Sequence, residues 1–153
     1  MRSHIHRMVV VYKKSAYQLH VVERKDRYLR RLLKARHPDV LDLLIAHEVH
    51  QRTLETVVRT LRGLGLRPTV VYRERLRSTA GYDLVICVGG DGTVLQASHF
   101  VRDLPLLGVN SDPQRSEAVF CAATAATAHR LLRQAVEGRL PAWSLSRLHV
   151  RLN

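Results

Sequence analysis

Aromatic residues make up only 5% of this 153-residue chain. Proteins that hold single-stranded nucleic acid stack successive bases on aromatic rings, so a surface of that kind is not expected here. Cysteine is nearly absent as well, with Cys87 and Cys121 the two in the sequence. Two thiols make no disulfide framework and suit a reducing compartment, and the expected setting is the cytoplasm. No apolar run approaches the roughly 20 residues that span a bilayer. Met1 to Arg7 is basic and lacks the apolar core of a secretory signal, and there is no room for a transit peptide before strand-like residues begin at Met8. Acidic residues are scarce: 13 Asp and Glu stand against 25 Lys and Arg, a net charge of +12. Such an excess calls for an anionic partner, whether nucleic acid, an anionic membrane or a small polyanion. The densest basic cluster runs Arg24, Lys25, Arg27, Arg30, Arg31, Lys34 and Arg36, with Tyr28 its one aromatic. It matches no zinc-finger, RNP or basic-zipper pattern and reads as a solvated helix face. Nucleic acid is therefore not an expected partner.

Several catalytic patterns are missing too. There is no Walker lysine motif and no dinucleotide G-x-G-x-x-G, and no serine sits on a nucleophile elbow. His47 and His50 are three apart rather than the four of the zincin pattern, and spacing offers no third ligand. They read as solvated helix histidines.

Residues 83 to 93, Asp-Leu-Val-Ile-Cys-Val-Gly-Gly-Asp-Gly-Thr, are the most informative stretch. Leu84 to Val88 reads as a strand buried on both faces, as in a parallel sheet. Gly89, Gly90 and Gly92 then surround one carboxylate, Asp91. Glycines at a strand end allow positive φ and close approach of a ligand to the main chain. Thr93 is positioned to cap a helix over 94–101, whose free N–H groups would face the same spot. Such a turn suits phosphate, at the edge where open α/β sheets bind ligands. Asp91 beside a polyphosphate would be repelled by roughly 4 kcal/mol per charge pair at 4 Å. It is tolerated there if a divalent cation intervenes or if it takes a proton from an attacking hydroxyl. Both roles belong to phosphoryl transfer. The competing reading makes Asp91 an ordinary turn residue. His99, on the same helix, either reaches the ligand or packs half-buried.

The rest of the chain alternates strand and helix. Met8–Tyr12, Thr69–Tyr72, Leu84–Val88 and Leu104–Val109 read as strands. Residues 18–48 read as poorly periodic helix broken at His37-Pro38. Leu54, Val57, Val58 and Leu61 give the helix over 50–62 a buried stripe, stopped by Gly63 and Gly65. A further helix carries Ala128, Leu131, Leu132 and Ala135 and closes at Gly138. The pattern predicts an α/β fold, a parallel Rossmann-like sheet with flanking helices and right-handed crossovers. Ser146 to Leu152 alternates like a strand in want of a partner. The expected organisation is an α/β nucleotide-binding domain over 1–140, then a linker and first strand over 141–153 leading to a β domain that is absent here.

The segment Gly108-Val109-Asn110-Ser111-Asp112-Pro113-Gln114-Arg115-Ser116-Glu117 also follows a buried strand. Asn110 offers donors and acceptors to a sugar or phosphate, and Arg115 can fork onto phosphate. An Asx-type turn before Pro113 would explain the same residues.

Gly89-Gly90-Asp91-Gly92-Thr93 followed by Leu107-Gly108-Val109-Asn110 resembles the NAD kinases, within a superfamily that includes diacylglycerol kinases and phosphofructokinases. The continuation Ser111 to Glu117, the opening Val9 to Tyr17 and the stretch from Gly138 to Trp143 resemble the branch containing the animal mitochondrial NAD kinases. The Gly-Phe-Leu segment of most other members is missing. The resemblance implies ATP-dependent phosphorylation of the ribose 2′-hydroxyl of NAD, with Mg2+ or another divalent cation. It implies that Asp91 is the base or metal organiser, that Gly89, Gly90, Gly92 and Thr93 line the nucleotide and phosphate pocket, and that Asn110 lies close by. Lys13 or Lys14 would reach a phosphate. The family's second, β-rich domain carries an Asn-Glu pair that this sequence lacks, so the 153 residues are expected to be inactive alone, and the full-length form is expected to be a homo-oligomer. The alternatives are a basic nucleic-acid-binding module and a lipid kinase of the diacylglycerol type.

Overall fold

The computed structural model describes residues 5–147, 150 and 151. Five strands, β1 (Met8–Tyr12), β2 (Thr69–Tyr72), β3 (Leu84–Gly89), β4 (Leu106–Asn110) and β5 (Cys121–Thr124), pair in parallel in the order β2-β1-β3-β4-β5. Four α-helices accompany them: α1 (Arg27–Lys34), α2 (Pro38–Gly63), α3 (Asp91–Ser98) and α4 (Ala125–Val136). The expected parallel α/β sheet with flanking helices is what forms.

Strand alternation sorts the core into two layers. Met8, Val10, Leu84, Ile86, Val88, Leu107 and Val109 face α2 and α4, meeting Val57, Leu61, Ala128, Leu131 and Leu132. Val9, Val11, Val85 and Cys87 face the other way, against Leu76, Val101 and the α3 residues Val94 and Ala97. All six residues of β3 are buried, as a central strand covered on both faces should be. The chain leaves β1 toward one face and β3 toward the other. The sheet order therefore has its switch point between β1 and β3, where the carboxyl ends of the strands leave an uncovered crevice.

The structure departs from the sequence reading in five places. The helix expected over 50–62 is the second half of a single 26-residue helix that starts at Pro38, because proline with its fixed φ suits a first turn. Tyr17–Glu23 is a π-helical segment rather than α-helix. The helix after the glycine loop begins at Asp91 with Gly90 as its N-cap, so Thr93 lies inside the first turn and caps nothing. β5 has no counterpart in the sequence reading, since Cys-Ala-Ala-Thr is short and low in β-propensity. Residues 141–147, 150 and 151 are irregular. The strand expected near the end is not seen there, and Leu148, His149 and Leu152 lie outside the described residues.

Gly108 has no freedom to be anything larger. A Cβ there would sit 2.7 Å from the Phe120 carbonyl oxygen and 2.9 Å from the Cys121 Cα. Both are backbone and cannot swing aside, so the register shift between β4 and β5 at this point depends on a bare Cα. On the opposite side of the sheet edge, α2 is fixed by polar contacts. His50 is 1% exposed, and its Nε2 donates to the Lys13 carbonyl at 2.7 Å. Thr53 Oγ1 donates to Val49 O and, at 3.4 Å, to Ser111 O. The buried stripe of α2 is thus Val40, His50, Thr53, Val57 and Leu61, with the sequence-predicted Leu54 and Val58 partly exposed.

Two outcomes follow for stability. Gly108→Ala should destabilise the chain by about 1–3 kcal/mol, whereas Gly92→Ala, whose Cβ would meet nothing nearer than Arg73 Nη1 at 3.7 Å, should stay within about 0.5 kcal/mol. Urea midpoints of the two variants check this. Burial pushes the His50 imidazole down from 6.5 to about 4, against the raising effect of its bond to Lys13 O. Between those values the unfolded chain binds a proton that the folded chain refuses, so stability is full above pH 6.5 and falls as pH drops toward 4. The loss should approach about 3 kcal/mol, and His50→Gln should flatten the profile over that window.

Candidate functional site

The carboxyl ends of the strands form a row. Tyr72 pairs with Tyr12, Tyr12 with Val88, Gly89 with Asn110, and Asn110 with Thr124. Lys13 extends β1 through a 3.4 Å bond from its N–H to Val88 O. The glycine loop and the Lys13-Lys14 turn therefore emerge side by side at the switch point, where the sequence reading places phosphate.

The glycines act by leaving space, because Gly89, Gly90 and Gly92 all avoid positive φ. A Cβ on Gly89 would collide with Thr93 Oγ1 at 2.3 Å. The hydroxyl of Thr93 is buried and has no partner among the described residues. Above Gly90 the nearest atom to such a Cβ is Ser116 Oγ at 3.3 Å, and above Gly92 it is Arg73 Nη1 at 3.7 Å. The chain turns into α3 through bonds from Thr93 N and Val94 N to Gly90 O.

Asp91 is the first residue of α3 and half-buried. Its two carboxylate oxygens accept from Val119 N at 3.0 Å and Phe120 N at 2.8 Å. The carboxylate ties the loop to the segment that leads into β5, a long-range structural role rather than the bonding of a local turn. Each oxygen keeps a second lone pair, and chemistry at Asp91 would use those. An asparagine here would turn an amide against one of two N–H donors, so Asp91→Asn loses a structural bond as well as a charge.

The remaining sequence-predicted residues are mostly engaged. Asn110 Nδ2 donates to Ser116 O at 2.7 Å, and Oδ1 accepts from Asp112 N at 3.0 Å. It closes the 111–116 loop from inside as an Asx turn. Arg115 forms ion pairs with Asp42 of α2 and with Asp112 at 3.3 Å, so its fork grips carboxylates rather than open space. Lys14 is paired with Glu23 at 2.8 Å and stands over the Tyr72 ring. Lys13 has no carboxylate partner among the described residues. His99 is exposed at the far end of α3 from the loop, and the basic run from Arg24 to Arg36 is exposed apart from its few leucines, as a solvated face should be.

Two residues escaped the sequence reading. Arg73 follows β2 at the same sheet edge, its guanidinium beside Gly92 and its Nε buried with no partner among the described residues. Its signal was positional: it is the first residue after a strand. His50 is buried instead of solvated, and with Lys13, Ser15, Ala16, Leu43, Ala46, Asp112, Arg115 and Ser116 it lines a cleft of about 230 Å3 beside the loop. A larger hollow of about 470 Å3, lined by Arg62, Gly65, Leu66, Arg67 and Pro68, precedes β2 at the opposite sheet edge and touches none of this chemistry.

Among the described residues no group of three or more His, Cys, Asp or Glu is assembled to hold a metal. One carboxylate beside the glycine loop would suit Mg2+ only together with other ligands, since Mg2+ keeps water and phosphate oxygens around one or two protein carboxylates. No helix among the described residues is long and apolar enough to cross a membrane.

Residues 8–140 match the family model described as the ATP-NAD kinase N-terminal domain. The chain is similar to a "Probable NADH kinase" of Oryza sativa subsp. japonica, 36% identical over 139 residues that cover 79% of this chain and 43% of the rice protein. It is similar to "NAD kinase 2, mitochondrial" of Homo sapiens, 34% identical over 124 residues, 75% of this chain and 28% of the human one. An Arabidopsis thaliana "NADH kinase" is 41% identical over 87 residues, 46% of this chain and 27% of that one. The chain thus spans less than half the length of these relatives. The expectation of a cytoplasmic setting is overturned, because the human, rat and mouse relatives carry the designation mitochondrial and point to that organelle instead. Free thiols indicate only a reducing setting, which is why cysteine usage did not separate the two. With the match covering most of its length, the chain belongs to the NAD kinase family.

Proposed function

We propose that this chain is the nucleotide-binding part of an enzyme that transfers the γ-phosphoryl group of ATP to the ribose 2′-hydroxyl of NAD, giving NADP. The observation that carries the reading is the loop Gly89–Thr93 at the β1/β3 switch point of an NAD kinase family domain. The phosphates lie over Gly90 and Gly92, where the nearest side-chain atoms leave room. The amino end of α3 and the Arg73 guanidinium supply positive charge there. Asp91 is the carboxylate that would hold Mg2+ arriving with the nucleotide, which would supply charge neutralisation at the phosphate oxygens, or that would accept the proton of the attacking hydroxyl. Residues 1–140 form the nucleotide-binding domain and 141–153 the lead into the remainder of the enzyme. Exposed Val119 and Phe120 beside Asp91 leave an apolar surface for that remainder, and the whole enzyme is taken to be a homo-oligomer. A nucleic-acid module and a lipid kinase are not favoured beside the family match.

The test is NADP formation from NAD with ATP and Mg2+. The 153-residue chain alone should show no turnover, since positioning of the two reactants supplies roughly 7–11 kcal/mol of the barrier reduction and much of the family's length is absent. In a form carrying that length, Asp91→Asn should lower kcat roughly 10²- to 10⁴-fold, well beyond what its lowered Tm explains. Arg73→Gln in the same form should weaken ATP binding about tenfold. Full turnover by the Asp91 variant would reduce that residue to a turn builder, and full ATP affinity in the Arg73 variant would remove Arg73 from the phosphate site.

A further inference from the structure

His50, which lines the cleft beside the glycine loop, has a buried acceptor with nothing to accept among the described residues. A carbonyl oxygen can only accept, so the 2.7 Å contact between His50 Nε2 and Lys13 O fixes the proton on Nε2. Nδ1 is then a bare lone pair. It is buried and has no partner among the described residues, in a side chain only 1% exposed. An unpaired buried acceptor is costly and calls for a donor. The hydroxyl of Ser15, which also lines the cleft, is engaged with Gln18 N at 3.1 Å and His47 Nδ1 at 2.8 Å and makes no bond to His50 Nδ1. The other charged groups of the cleft divide the same way. Arg115 is held by Asp42 and Asp112, while Lys13 has no carboxylate partner among the described residues. The cleft asks for a hydroxyl donor toward His50 and an anion toward Lys13.

Its position supplies the ligand's outline. Ser116 lines the cleft and also stands 3.3 Å from where a Cβ on Gly90 would lie, so one side chain separates the cleft from the loop. A volume of about 230 Å3 is below the roughly 300–1,000 Å3 of a pocket for a whole drug-sized ligand. It fits one portion of a molecule whose charged end lies outside.

We propose that this cleft seats the ribose of the nucleotide whose phosphates occupy the glycine loop, with His50 Nδ1 accepting a hydrogen bond from a ribose hydroxyl and Lys13 beside the adjoining phosphate. The proposal rests on the loop being the phosphate cradle. At neutral pH the imidazole is uncharged, its burial having lowered it to about 4, so the lone pair is there to be used.

The experiment is NMR of the 153-residue chain labelled with 15N, titrated separately with ADP, with NAD and with 2′,3′-dideoxy-ADP. Backbone amides of Gly90 and Gly92 report the loop, and the His50 Nδ1 resonance reports the cleft. ADP or NAD should shift both, and whichever shifts Nδ1 identifies the occupant. The dideoxy analogue should shift the loop alone and bind about three- to tenfold more weakly than ADP, a difference that His50→Phe should erase. Loop amides that move while Nδ1 stays fixed for both ADP and NAD would overturn the ribose site and leave the loop reading standing. An Nδ1 that moves without the loop would uphold the cleft and remove its link to the phosphates. Silence of both probes with both nucleotides would overturn the two together, as would an equal response to the dideoxy analogue for the ribose assignment.

Discussion

The crevice between β1 and β3 is the constraint from which the site follows. Parallel neighbours need crossovers, and crossovers of one hand can leave neighbouring strands on opposite faces only where the strand order reverses. Here that happens once, between a strand followed by α2 and a strand followed by α3. No helix can cover both strand ends at that point. The loops Lys13–Ser15 and Gly89–Asp91 emerge side by side for a topological reason, before any side chain is considered. Asp91, Asn110, His50 and Thr53 then finish the crevice by tying neighbouring backbone segments to one another.

Those ties share a pattern. Asp91 accepts from two amides of the approach to β5, Asn110 clamps both ends of its own loop, and His50 and Thr53 bind carbonyls of two different loops. Each is a polar side chain spending its hydrogen bonds on the main chain of a loop. Loops held this way keep their shape without a ligand, which is what a site needs if positioning is its main contribution. Arg73 and Lys13 are the exceptions. Neither has a carboxylate partner among the described residues, and both border the loop or its cleft.

Legibility in the sequence followed the range of the interaction. The strands β1, β3 and β4 were readable because a buried parallel strand is a local run of apolar residues, and the partly exposed edge strand β2 was readable from its β-branched and aromatic residues. The glycine loop was readable because its composition is abnormal within five residues. β5 was not, because a four-residue strand of Cys-Ala-Ala-Thr owes its existence to Gly108 opposite it, more than ten residues away. His50 was misread as solvated because its partner is the carbonyl of Lys13, 37 residues distant. For Asp91 and Arg115, sequence could not show that backbone amides and Asp42 had already claimed part of their bonding capacity. The resemblance supplied the family but left the cytoplasmic expectation in place, and it was the names of the human, rat and mouse relatives that spoke against it.

Asn110 has one more effect, on how this part of the molecule can change over generations. By holding its loop through Ser116 O and Asp112 N, both backbone groups, it makes the loop's path independent of most of the side chains along it. Pro113, Gln114 and Glu117 are exposed and take no part in that closure. Substitutions there are free to drift without moving Gly90 or the cleft, whereas a change at the buried Asn110 would release the whole segment at once. The segment thus combines one position that tolerates almost nothing with several that tolerate a great deal, so it can diversify in chemistry while keeping a single shape.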